Sequence, residues 1–92
     1  MNFFQTADLY LAAALKTSGF ELINVQLRER KRGTFIFVDR PERPQVVRDY
    51  FAGRLTGSLK DFSNNWADLK SLINETMEME NDKNGRSYPK QA

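Results

Sequence analysis

The chain reads as a small α+β domain: a helix, a β-hairpin, a second helix and a long third helix, with a small antiparallel sheet. Three observations predict this. The 92 residues, 40 % of them apolar, suffice for one modest core and no second domain. The apolar period changes along the chain, from helical, to alternating, and back to helical. Gly and Pro fall between the periodic segments and not within them.

The first helix is expected over Ala7 to Ser18. Thr6 is a suitable N-cap, and Asp8 suits the positive end of the helix dipole. Leu9, Leu11, Ala12, Ala13 and Leu15 form a broad apolar arc whose alanines permit close packing. Lys16 sits in the last turn and Gly19 takes the left-handed stop position. Phe3 and Phe4, ahead of the cap, act as a staple against the first turn or add a short strand.

Phe20 to Glu29 and Thr34 to Arg40 are rich in β-branched and aromatic residues and flank a polar turn that ends in Gly33. They predict a hairpin. Ile23, Val25 and Leu27 alternate onto one face, whereas Phe20 and Leu22 fall on the other, so a bulge is expected near Ile23. Phe35 and Phe37 face one way, Ile36 and Val38 the other. Both sheet faces are partly apolar, and the one away from the helices needs cover from another element or a second subunit.

Pro41 and Pro44 turn the chain, and Pro44 fits the first turn of a helix reaching Ala52, with Gly53 as its stop. Val46, Val47, Tyr50 and Phe51 form its expected buried stripe. Ser58 then caps a helix from Leu59 to about Glu80, with Asp61 completing a weak capping box. Leu59, Phe62, Trp66, Leu69 and Ile73 recur at spacings of three and four, and Leu72 and Met77 widen the stripe. Such a helix is nearly as long as a domain of this size is wide, so its last turns overhang the core. The expected organisation is a single domain over residues 1–80 and a disordered tail over 81–92, where Asn, Asp, Lys, Gly and Pro dominate.

Chemistry is bounded by what is missing. The chain has no Cys and no His, which removes disulfide scaffolds, zinc fingers, thiol nucleophiles and His general bases. No metal cluster, glycine-rich phosphate loop or paired-carboxylate motif is present, so no enzyme, cofactor or metal is expected. The longest apolar run, Leu11 to Leu15, is too short for a membrane span or a signal-peptide core. A cytoplasmic protein without a membrane partner is expected.

Charge is distributed unevenly. Residues 28–54 hold eight basic and four acidic side chains, whereas residues 61–82 hold six acids and one Lys. The bland reading pairs the two, within one molecule or across a dimer; the sharper one is an anion-binding surface. The best candidates are Arg28, Arg30, Lys31 and Arg32 at the hairpin tip, where four cations in five positions can contact phosphates. The competing reading is a solvated turn. Arg40, Arg43, Arg48 and Arg54 form a second basic set, expected to pair with the acidic third helix. Asp8 and Asp39 fit capping and turn roles. Phe35 and Phe37 are expected in the core more than on a base-stacking surface. Trp66 reads as core or as an interface anchor, and Trp66, Ile73 and Met77 are the candidate protein-interface residues.

The stretch from Phe4 to Leu15 with Gly19-Phe20 resembles the start of a family of short bacterial and phage proteins, a domain of unknown function. Thr34 to Asp39, Asp49 to Leu55, Phe62 and Leu69-Lys70 resemble its other marks. The resemblance spans residues 3–75. It implies a bacterial or mobile-element setting and supplies no activity and no site residues.

The residues together predict a non-catalytic interaction module. It would be a homodimer and bind DNA or RNA through the basic hairpin tip. The alternative is an adaptor for an unknown protein partner, using the third helix and the outer sheet face.

Overall fold

The structure, a computed structural model, describes residues 2–27 and 33–83. The elements run β1 (Phe3–Thr6), α1 (Leu9–Thr17), β2 (Leu22–Leu27), β3 (Gly33–Val38), α2 (Arg43–Phe51) and α3 (Leu59–Lys83). The α+β class is as expected, but the chain opens on a strand. Phe3–Thr6 pairs antiparallel with β3, Phe3 opposite Val38 and Thr6 opposite Phe35, and the sheet order is β1-β3-β2. The short-strand option for Phe3 and Phe4 is therefore the one the chain adopts. Since β1 and β2 flank β3, the β1–α1–β2 connection must cross the central strand.

Strand β1 also changes the first cap. Asp8, not Thr6, is the N-cap of α1: its carboxylate accepts from the amides of Tyr10 and Leu11 at 3.0 and 3.1 Å. The Thr6 hydroxyl instead accepts from the Asp8 amide, 3.1 Å away, and so tightens the strand-to-helix turn. The far end closes as a Schellman motif. Gly19 has φ +95°, the Phe20 amide donates to Leu15 carbonyl, and the Gly19 amide to Lys16 carbonyl, both at 3.0 Å. Helix α2 stops in the same way, with Gly53 at φ +75° and the Arg54 amide donating to Asp49 carbonyl at 2.8 Å. Ser58 caps α3, its hydroxyl accepting from the Asp61 amide at 3.1 Å.

The bulge expected near Ile23 is present. Leu22 opposes Phe37 and Asn24 opposes Ile36, so Ile23 is the extra residue. It lets both Leu22 and Val25 pack on the core while Ile23 stays 45 % exposed. Phe35, Phe37, Leu15 and Leu69 are the largest fully buried side chains. Each such burial contributes about 1.5–3 kcal/mol before entropy is counted. Ala12 and Ala13 are wholly buried between them, which is how α1 comes close to the sheet. Val46, Val47 and Tyr50 of α2, and Phe62, Trp66 and Ile73 of α3, pack around this cluster.

Leu72 and Met77 are half-buried outside it, and two members of the expected stripes stay exposed. Phe51 is 65 % exposed and Leu59 85 % exposed. Each lies at a helix end, beyond the reach of the sheet, so its apolar character does not by itself bury it. Helix α3 runs to Lys83, past the expected end near Glu80; residues 84–92 lie outside the described residues. At 25 residues α3 is about 37 Å long. The molecule measures 50 × 30 × 19 Å, so α3 lies along the long axis.

The two phenylalanines make a direct test. Phe37→Ala should cost about 3–5 kcal/mol in urea melts, the usual result of emptying a buried aromatic site. Phe51→Ala should stay within about 0.5 kcal/mol of wild type, as exposed substitutions do. Similar losses for both would place Phe51 in the core.

Candidate nucleic-acid interface

Arg28, Arg30, Lys31 and Arg32 lie outside the described residues, but their anchors are defined. Leu27 pairs with Gly33 at the turn end of the hairpin, so residues 28–32 connect these two positions. Gly33 is closely approached by α3: a Cβ there would run into Ile73 Cδ1. The base of the basic connection is thus fixed against the long helix, and only glycine leaves room for the isoleucine.

Among the described side chains, the second basic set pairs close by in the chain and not with α3. Arg43 grips Asp39 with Nε and one Nη, at 3.0 and 3.3 Å, and its guanidinium lies 4.1 Å over the Phe4 ring. Arg40 pairs with Glu42, donates to Gly19 carbonyl at 3.1 Å and covers Phe20 at 4.4 Å. Arg54 pairs with Asp49 at 3.6 Å, and Arg48 donates to Gln45 at 3.0 Å. In place of the expected pairing with the acidic helix, the described contacts are to neighbours a few residues away, whose side chains meet without long-range ordering. Arg40 and Arg43 hold the 39–42 turn against the sheet. Asp8 and Asp39 do serve as cap and turn residues. The Arg43 guanidinium bonded to Asp39 holds its carboxyl below the ordinary 3.8. Glu42 is likewise lowered, first by its own backbone amide and then by Arg40.

Three of the six acids of α3 share one side of that helix. Asp61, Asp68 and Glu75 recur every seven residues, which puts them opposite Trp66 and Ile73 on a helix of 3.6 residues per turn. On the side of Trp66, its ring stacks on Tyr10 with centroids 6.0 Å apart and planes at 28°. Lys70 Nζ sits 5.4 Å from the Trp66 centroid. Asn65 crosslinks the same helix pair, donating to the Thr17 hydroxyl at 3.0 Å. Trp66 and Ile73 contribute to the rim of the core, and Met77, one turn further, is partly buried. Phe35 and Phe37, at 1 and 0 % exposure, are core and cannot stack on a ligand.

Tyr10 and Lys70 are the residues that sequence reasoning passed over. Tyr10 falls outside the apolar arc of α1, and Lys70 is the one cation in residues 61–82, four residues after the Trp. Those two signals were available; the placement of both against Trp66, which needs α1 and α3 side by side, was not. Tyr50 is partly buried, and that burial pushes its hydroxyl up from the ordinary 10.0, with Asp8 adding to the shift. Among the described residues no group of acidic side chains could hold a metal ion. No described helix is long and apolar enough to cross a membrane.

Residues 1–75 match a family model described as a domain of unknown function (DUF5659). The chain is also similar to part of a methionine–tRNA ligase of Thiobacillus denitrificans (strain ATCC 25259 / T1), 31 % identical over 71 residues. That match takes in 73 % of this chain but spans only 10 % of the ligase. No solved structure matches the chain.

The Asp39–Arg43 pair predicts an acid response. A carboxyl whose pKa is lowered by folding adds stability above its unfolded value, and this is lost as pH falls through the folded value. Asp39→Asn should therefore melt below wild type at neutral pH, and the gap should close as pH falls below about 4. Circular dichroism melts across that range check it; a gap independent of pH would remove the ion pair from the account.

Proposed function

Because the chain belongs to the DUF5659 family, whose description carries no activity, we propose a function from its own residues: it is a non-catalytic nucleic-acid-binding module. The contact is made by Arg28, Arg30, Lys31 and Arg32 on the hairpin connection. The observation that supports this reading most is the Leu27–Gly33 pairing. It leaves four cations to the short connection between two strands, at the point where Ile73 of α3 packs on Gly33. Meanwhile Arg40, Arg43 and Arg54 are engaged by acids close by in the chain. The basic surplus that remains for phosphates is concentrated in residues 28–32. The likeness to a segment of a protein that acts on tRNA points the same way. A bacterial or mobile-element setting and a cytoplasmic location go with this reading.

A second reading is favoured by the sheet. Phe3, Ile36 and Val38 share the face turned away from the core, by the register of β1 on β3, and Phe3 is 54 % exposed. That face suits a homodimer or an adaptor for another protein, as does the overhanging α3. Salt separates the readings, since apolar docking does not weaken as salt rises, whereas phosphate contacts do.

Titration of wild type and of the Arg30→Ala, Lys31→Ala, Arg32→Ala triple variant at three salt concentrations tests the proposal. Each lost phosphate contact should flatten the log–log salt slope by about 0.9 on duplex and about 0.7 on single strands. The triple variant should thus lose about two to three units on duplex, with its melting midpoint unchanged. Absence of nucleic-acid binding by wild type, or a slope untouched in the variant, would refute it.

A further inference from the structure

Next to Gly33 lies a cleft of about 190 Å³, lined by Ala7 and Leu9 ahead of and at the start of α1, by Gly33 and the buried Phe35 of β3, and by Lys70, Ile73 and Asn74 of α3. That volume equals about six water molecules' share of the liquid. Lys70 belongs both to this cleft and to the aromatic stack, since its ammonium lies beside the Trp66 ring and Trp66 stacks on Tyr10. The line Tyr10–Trp66–Lys70–cleft is therefore continuous, and it ends at the base of the basic connection.

The three parts have complementary chemistry. Tyr10 is 55 % exposed although one side of its ring is taken by Trp66. An aromatic ring fixed from behind and open in front is a platform on which any base can stack. Lys70 is exposed and makes no ion pair among the described residues, so it is available to a phosphate. Asn74, exposed at the cleft mouth, carries both a donor and an acceptor for a base edge. Of the acids of α3, the three nearest Trp66 and Lys70 in the chain, Asp61, Asp68 and Glu75, face the opposite side of the helix.

We propose that this α1–α3 face binds single-stranded nucleic acid, with one base stacked on Tyr10, the adjoining phosphate on Lys70 and the next base in the cleft beside Asn74. The proposal rests on the nucleic-acid reading above and deepens it, from any charged duplex or strand to one whose bases are free to stack. A duplex cannot satisfy it, because its bases present edges and not faces. Deoxyribose and ribose strands share this chemistry.

The single tryptophan sits inside the proposed site and reports on it. The full chain is titrated with oligothymidine, oligouridine and a duplex of equal length, following Trp66 fluorescence and, separately, the anisotropy of labelled nucleic acid. The expected result is a saturable change in Trp66 emission with either or both single strands, which shows whether DNA or RNA is taken, and a weaker response to duplex. Tyr10→Ala should weaken single-strand binding about tenfold while Tyr10→Phe retains it, because stacking needs the ring and not the hydroxyl. Lys70→Gln should flatten the single-strand salt slope by about 0.7. Both positions are exposed, so the variants keep the fold, which melting curves verify. Binding by anisotropy that leaves Trp66 emission unmoved and is equal in wild type and Tyr10→Ala would overturn this inference while sparing the basic connection. A change in Trp66 emission with protein concentration alone, and none with oligonucleotide, would assign the face to a second copy of the chain and also overturn it. No binding to any nucleic acid would overturn both proposals.

Discussion

The constraint on which this fold depends is the crossover of α1 above β3. Once Phe3–Thr6 occupies the far edge, β3 is the central strand, and the chain leaving β1 must pass across it to reach β2. A helix forced over a strand that carries Phe35 and Phe37 needs small residues underneath. Ala12 and Ala13, both fully buried, supply them. With α1 seated, Leu15 and Phe20 close the core from the helix end, and the Schellman turn at Gly19 brings Phe20 back over it. Helix α3 then packs mainly on α1, and in doing so sets Trp66 against Tyr10 and Ile73 against Gly33. The candidate binding face is a consequence of that packing.

Charge follows the same division. Guanidinium groups at 40 and 43 are consumed in fixing the turn after β3, each lying over a ring and bonded to a nearby carboxylate. Exposed pairs of this kind contribute little stability each; their effect is to fix where the chain goes as it leaves the sheet. Asp61, Asp68 and Glu75 of α3 keep to the side away from Trp66. A net charge of +2 therefore conceals a molecule with segregated surfaces, and segregation, more than the sum, governs attraction to an anionic partner.

Most of the fold was legible in the residues because its signals are local. Gly19 and Gly53 stop helices a few residues after the apolar period ends, and Ser58 precedes one. The bulge at Ile23 was legible because Leu22 and Val25 are out of phase for one pleated face. What escaped were features set by distant neighbours. Four residues at Phe3–Thr6 carry too little pattern to decide between a staple and a strand, because the strand's partner comes after an intervening helix and the first arm of the hairpin. That strand in turn moved the cap from Thr6 to Asp8, two residues with equal local claims. Phe51 and Leu59 continue apolar stripes but lie past the end of the surface they would cover. For the site, the basic connection was legible as composition, whereas the Tyr10–Trp66–Lys70 group exists only because α1 and α3 pack side by side.

The central claim is that nucleic acid meets the α1–α3 face and the base of the hairpin, and not the open side of the sheet. Backbone amide shifts of the full chain, followed by NMR as a single-stranded oligonucleotide is added, test this most directly. The account predicts the largest changes at Tyr10, Gly33, Lys70 and Asn74, with Phe3, Ile36 and Val38 unmoved. Changes confined to those last three, or to the Asp61, Asp68 and Glu75 side of α3, would contradict it.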